Sequence, residues 1–250
     1  MPEMLSQALA LPGLGWLIAA TAVAGTVRGF SGFGTALVFM PVAGLFLSPV
    51  WALTLLIVMD LFGPLPNIPR ALRDGEPRDV GRLMLGAAVG VPLGVALLTA
   101  LPVEAFRWGV SLLALALVAL LAGGWRYHGR LGKGLTLATG GLGGFLGGST
   151  GLSGPPAILL YMASTLPAQT IRANLLLYLI GVDVLLISVF WASGHLAGEA
   201  LALALVILPV YLLGNIAGAA IFRPGRETAY RRVAYTLIAA SAITGLPIWS

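Results

Sequence analysis

Apolar segments follow one another along almost the whole chain, at about 14–28, 34–47, 51–66, 83–101, 108–123, 135–147, 155–166, 170–193, 201–221 and 233–249. Several approach the ~20 residues that carry a helix across a bilayer. Backbone amides inside hydrocarbon find no water, so a spanning segment must satisfy them internally, and helix is the expected form. Charged residues make up only 9% of the chain against 58% hydrophobic, where a soluble domain carries roughly a quarter. The expected fold is an all-α polytopic membrane protein, one membrane domain with no soluble domain.

Two segments are broken by glycine at matching places. Gly25-Thr26-Val27-Arg28-Gly29-Phe30-Ser31-Gly32-Phe33-Gly34 interrupts the first apolar stretch. A second version, Gly144-Phe145-Leu146-Gly147-Gly148-Ser149-Thr150-Gly151-Leu152-Ser153-Gly154-Pro155-Pro156, follows 119 positions on (144 − 25). At that offset Gly25, Gly29 and Gly32 fall on Gly144, Gly148 and Gly151, and Ser31 falls on Thr150. At an offset of 124 (214 − 90), Gly90, Gly94 and Arg107 fall on Gly214, Gly218 and Arg231. These matches predict a duplicated chain, an N-terminal repeat over 1–130 and a C-terminal repeat over 131–250, with a site where the two breaks meet. Glycines four apart (Gly86, Gly90, Gly94; Gly140, Gly144, Gly148; Gly214, Gly218) predict close helix packing in lipid.

Charge sets the topology. Arg70, Arg73, Arg78 and Arg82 lie at 67–82, Arg126, Arg130 and Lys133 at 124–134, and Arg223, Arg226, Arg231 and Arg232 at 222–232. The loop at 102–107 holds Arg107 alone and the loop at 194–200 holds no basic residue. The positive-inside rule puts the three rich loops in the cytoplasm and the two poor ones outside, so the net charge of +5 belongs to topology rather than to nucleic-acid binding. Three segments lie between 124–134 inside and 194–200 outside, so 135–166 must return to the side it left. It is a helical hairpin, broken or re-entrant, and by repeat 13–47 is a hairpin entered from outside. Each half is then a hairpin plus three transmembrane helices, which makes the two repeats inverted and places both termini in the periplasm. A parallel four-plus-four arrangement of broken helices is the alternative. The start, MPEMLSQALALPG, lacks the basic region of a signal peptide, so a mature N-terminus is expected.

Arg28 is the residue that most suggests chemistry. A charge inside a membrane segment costs ~2.5–3.5 kcal/mol on insertion scales, so it marks a site or a paired structural tie. Helices that stop and start around Gly29, Gly32 and Gly34, and around Ser149, Gly151 and Ser153, expose unpaired N–H groups whose dipole ends favour an anion. Ser31, Ser149, Thr150 and Ser153 add hydroxyls that serve either as donors or as helix caps, and Phe33 completes the first tip. Arg172 and Asn174, just after the second hairpin, are further candidate ligands, with a loop arginine and a helix cap as their plainer roles. Asp60 and Asp183 are the acids inside apolar segments, candidates for proton coupling or for an ion pair with Arg28 or Arg172. The chain has no cysteine and two histidines, His128 and His195. No HExxH, P-loop or paired intramembrane carboxylates occur, so no catalytic residue, metal site or cofactor is expected.

FSGFG early in the chain, G-STGLSGPP near its middle, the following TIRAN and the two-repeat length together resemble the TauE/SafE sulfite exporter family, part of a wider sulfonate-transporting superfamily, over essentially the whole sequence. The resemblance implies a secondary transporter of the bacterial inner membrane that moves small sulfur-containing anions, such as sulfite or organosulfonates. Its expected partners are that anion, membrane lipid, protons as a candidate coupling ion and a second copy of the chain as a candidate homodimer. The alternatives are an anion channel, a transporter of another small organic anion such as a carboxylate, and an assembly subunit without a substrate.

Overall fold

A computed structural model describes residues 11, 13–123, 132–161, 164–222 and 227–248. Arg126, Arg130, His128, Arg223 and Arg226, and the first ten residues, lie outside the described residues. The helices are α1 (Leu14–Ser31), α2 (Thr35–Phe46), α3 (Pro49–Phe62), α4 (Ile68–Asp74), α5 (Pro77–Ala100), α6 (Val103–Ala122), α7 (Lys133–Thr150), α8 (Gly154–Tyr161), α9 (Ala168–Ala192), α10 (Gly198–Ile221) and α11 (Glu227–Gly245). No strand occurs among the described residues. Among them α1, α5, α6, α9 and α10 are long and apolar enough to cross a membrane, and α3 with the short helices after it makes a sixth candidate.

Two sequence expectations need correction. The first break is narrower than its glycines suggest: α1 runs through Gly25, Arg28 and Gly29 to Ser31, and only Gly32, Phe33 and Gly34 separate it from α2. Likewise α7 runs through Gly144, Gly147 and Gly148 to Thr150, leaving Gly151, Leu152 and Ser153. The terminators are Gly32 (φ 78°) and Gly151 (φ 80°), 119 positions apart, each in the left-handed conformation. Each donates its N–H to the carbonyl four residues back, Arg28 O at 2.8 Å and Gly147 O at 2.9 Å, a glycine helix stop that other residues enter only at a steric cost. The second correction concerns 67–82. This charged stretch holds α4 and the first turn of α5, with Pro77 at the start where a missing N–H costs nothing.

The chain forms two compact units, and neither is a continuous stretch. Unit 1 comprises Met1–Met59, Leu101–Gly123 and Leu196–Ser250, hence α1, α2, α3 to Met59, α6, α10 and α11. Unit 2 comprises Asp60–Ala100 and Gly124–His195, hence α4, α5 and α7 to α9. Each therefore takes helices from both halves of the sequence.

The tightest packing in unit 1 joins α1 to α10, and in unit 2 α5 to α7. Glycine makes both possible. In unit 2 a Cβ on Gly148 would meet Val91 O at 2.5 Å, Val95 N at 2.9 Å and Gly94 Cα at 3.0 Å. In unit 1 a Cβ on Gly29 would meet Asn215 O, Ala219 N at 2.7 Å and Gly218 Cα at 2.9 Å. These are the same atoms at the two sequence offsets: 29 + 119 = 148, while 91, 95 and 94 plus 124 give 215, 219 and 218. The match extends outwards. Gly90 abuts Gly141 O and Phe145 N, and Gly214 abuts Ala22 O and Thr26 N, where 22 and 26 plus 119 give 141 and 145. One backbone contact is thus built twice. Residue numbers rise together along both contacts, so α1 runs parallel to α10 and α7 parallel to α5.

Candidate functional site

The break of hairpin 1 lies at the end of α10 rather than beside its middle. Gly29 abuts Ala219 two residues before α10 ends at Ile221, and the Phe30 ring lies 5.5 Å from that of Tyr230 near the start of α11. Tyr230 in turn donates to Ile221 O at 2.6 Å. Arg28, half-buried in the last turn of α1, is accordingly near the end of a span and not at its centre, which lowers the insertion cost expected from its sequence position. It takes part in a polar or electrostatic interaction, as do Asp60 and Asp183.

Beyond Gly32 the chain turns at Gly34 (φ 102°) into α2, whose N-terminus has no side-chain cap. The first amides of a helix have no partner within it, so this end presents N–H groups without an intrahelical partner, and the Gly32–Gly34 turn separates it along the chain from the last turn of α1, which holds Arg28. The Ser31 hydroxyl bridges the break, 2.6 Å from Val27 O and 2.7 Å from Phe33 O, and accepts from Phe33 N–H at 3.3 Å. The structure also reveals a pair that the sequence reading passed over. Thr35 Oγ1 and Tyr211 Oη lie 3.1 Å apart, both fully buried, joining the first residue of α2 to α10. Asn215, half-buried one turn beyond Tyr211, was passed over too, although an amide inside the apolar run 201–221 is a readable signal.

In unit 2, Ser149 donates to Phe145 O at 2.8 Å and Thr150 to Leu146 O at 2.7 Å, each one turn back along α7. Ser153 is buried at the start of α8, its Cβ filling the space beside Gly147. Asn174 is fully buried and doubly engaged: it accepts from Glu76 N–H at 2.7 Å and donates to Tyr161 Oη at 3.0 Å, tying α9 to the start of α5 and to α8. Arg172 is exposed, whereas Asp183 is buried and Asp60 half-buried. Arg28, Gly29, Ser31, Gly32, Phe33 and Gly34 therefore share unit 1, and Ser149, Thr150, Gly151, Ser153, Arg172, Asn174, Asp60 and Asp183 share unit 2. No group of three or more His, Cys, Asp or Glu able to hold a metal occurs among the described residues.

Long apolar helices, two glycine-terminated hairpin arms and a cation beside one break define a polytopic helical membrane protein. The family described as sulfite exporter TauE/SafE matches residues 17–244, and the chain belongs to that family. It is a family of membrane transporters, not of enzymes. No curated protein and no solved structure matches the chain.

Proposed function

We propose that this protein is a secondary transporter that exports small sulfur-containing anions, such as sulfite or organosulfonates, across the bacterial inner membrane, with the anion engaged at hairpin 1. The observation that carries this reading is the sequence of a basic residue, Arg28, in the last turn of α1, a glycine turn over Gly32–Gly34, and an α2 N-terminus without a side-chain cap. A positive charge and the N–H groups of a helix start both suit an oxyanion. The hydroxyls of Ser149, Thr150 and Ser153 in unit 2 are the second candidate set, and Asp60 and Asp183 are the candidate proton carriers.

The inverted-repeat topology belongs to the same proposal, and two observations support it. The α1–α10 and α7–α5 contacts match at the sequence offsets of the repeat, and both pairs are parallel. With the basic loop 222–232 at the cytoplasmic end of α10, α1 enters from outside. With the basic stretch 67–82 at the cytoplasmic end of α5, α7 enters from inside. Both termini are then periplasmic.

Proteoliposome flux tests the function. A proton-coupled transporter accumulates labelled sulfite or a sulfonate against its gradient when a pH gradient is imposed. A channel dissipates the substrate gradient without accumulation, and an assembly subunit gives no flux above empty liposomes.

A further inference from the structure

The charged stretch between α3 and α5 carries more positive charge than its own structure uses. With Arg172 of α9 it holds five arginines (Arg70, Arg73, Arg78, Arg82, Arg172) against three acids (Asp74, Glu76, Asp79), a net charge of +2 (5 − 3). Arg70 pairs with Asp74 at 3.3 Å and Arg82 with Asp79 at 2.9 Å, each within its own helix. Arg73, Arg78 and Arg172 are exposed and make no ion pair or side-chain hydrogen bond among the described residues. Arg73 acts on Asp74 only through its field.

Contacts between α9 and the stretch bring these three backbone positions together. The Asp74 carboxylate accepts from Gln169 Nε2 at 2.6 Å, and Asn174 Oδ1 accepts from Glu76 N–H at 2.7 Å. Arg73 precedes Asp74, Arg78 follows Glu76 by two residues, and Arg172 lies on α9 between Gln169 and Asn174. Ala71, buried, seats α4 on α9. The repeat does not require the arginines, since the corresponding stretch 194–200 holds no basic residue.

Large apolar side chains are exposed in the same stretch: Leu72 at 65%, Leu65 at 47% and Phe62 at 44%. The apolar helix α3 ends at Phe62, the helical piece Leu65–Asp74 bends 40° away from it, and the apolar run of α5 begins beyond Arg82. Thus α4 lies where two apolar runs leave the hydrocarbon. Exposed leucine and exposed arginine on one short helix suit that boundary, with leucine at the acyl edge and arginine among the phosphates.

We infer that Arg73, Arg78 and Arg172, with Leu65 and Leu72, form a docking surface for the headgroup of an anionic phospholipid. A guanidinium fork pairs with phosphate through two parallel hydrogen bonds, and a basic cluster beside a span attracts an anionic leaflet. A zwitterionic headgroup carries the same phosphate with its charge cancelled, so net charge is what the surface distinguishes. The surface lies wholly in unit 2. The inference takes from the proposed topology only the placement of 67–82 at a membrane surface, and it concerns lipid, not the transported anion.

The test is the thermal unfolding midpoint of the purified full-length protein in neutral detergent, titrated with phosphatidylglycerol, phosphatidylcholine or inorganic phosphate. Phosphatidylglycerol is expected to raise the midpoint to saturation, and phosphatidylcholine to leave it unchanged. Each arginine replaced by glutamine should weaken the apparent lipid affinity about fivefold, equivalent to about 1 kcal/mol per basic residue near an anionic surface. Arg73→Gln, Arg78→Gln and Arg172→Gln combined should weaken it about 100-fold. Arg231→Gln with Arg232→Gln removes two exposed arginines of α11 and should keep the parent response. Should the triple variant fail to fold, the parent at about 1 M salt, where the screening length is about 3 Å, should lose the rise. A rise that survives in the folded triple variant or at high salt, or that falls equally in the Arg231 and Arg232 variant, overturns the inference. So does an equal rise with phosphatidylcholine, or a rise with inorganic phosphate that the triple variant loses. Sulfite flux is read separately, so a failed lipid test leaves transport standing, and absent flux leaves the lipid surface standing.

Discussion

Replacing Gly148 by alanine would place a methyl group 2.5 Å from the carbonyl oxygen of Val91 and 2.9 Å from the amide nitrogen of Val95. Ordinary van der Waals contact begins at 3.4 Å, so α5 and α7 must part by about 0.9 Å (3.4 − 2.5). The obstructing atoms are backbone, and no rotamer change relieves them. A gap of 0.5–1 Å forfeits about a quarter to a half of the dispersion well of each contact that opens. In lipid there is little hydrophobic force to hold the helices together otherwise. The expected loss is about 1–3 kcal/mol, the usual range for overpacking. Gly29→Ala meets the equivalent obstruction from Asn215 and Ala219 in unit 1 and should lose a similar amount. Gly109→Ala is the control: it lies inside α6 with nothing within 4 Å of its Cβ position, so the higher helix propensity of alanine should give about 1 kcal/mol of added stability. Unfolding in detergent, followed by tryptophan fluorescence, reads all three. A Gly148→Ala protein that unfolds with the parent, or a Gly109→Ala protein that is destabilised, refutes this reasoning.

Asn174→Ala removes the acceptor of the part-buried Glu76 N–H and the donor to the buried Tyr161 hydroxyl, and each lost hydrogen bond costs about 0.5–1.5 kcal/mol. The same unfolding assay should show that loss, and none would mean that Asn174 does not tie α9 to α5 and α8. Acid should act at Asp74, the last residue of α4, in the charged stretch 67–82 that carries Arg70, Arg73, Arg78 and Arg82. The Gln169 amide, 2.6 Å away, and then Arg70 hold its carboxyl below the ordinary 3.8. A lowered carboxylate contributes fully above the unfolded value and loses its contribution as pH falls through the folded one. Stability from Asp74 is thus constant from neutrality to about pH 5 and declines below the ordinary carboxylate range, and Asp74→Asn should remove that part of the decline. Equal acid slopes in parent and variant would rule it out. Reporter fusions check the topology: positions in 102–107 and 194–200 should report periplasm, and a cytoplasmic C-terminus would contradict the inverted arrangement.

The helical membrane class was legible because it is written in whole segments, each of which averages over about twenty residues. The two breaks were legible too, but too wide. Gly32 and Gly29 are the same residue type meeting different demands, one a left-handed helix stop and the other a bare surface for Asn215 and Ala219. Local sequence cannot separate those demands, since the second is set by a helix nearly two hundred residues away. The hydroxyls of Ser31, Ser149 and Thr150 look like ligand donors in sequence. Near a helix end, however, the nearest acceptor is the carbonyl one turn back, and each makes that bond. Charge hid α4, because arginine and aspartate at 67–82 read as loop although nothing in Ile68–Asp74 beyond its early proline breaks a helix. Asn215 was hidden by the opposite effect. One amide barely alters a segment average, and only its equivalence to Val91 makes it conspicuous.

Binding of sulfite or a sulfonate to the parent protein and to Arg28→Ala tests the central claim most directly. A hydrogen bond to a charged group contributes about 1.5–3 kcal/mol, so the account predicts affinity lower by about 10- to 150-fold in a variant that remains folded and keeps its helix content. Parent-like affinity in a folded Arg28→Ala protein would contradict an anion site built on Arg28.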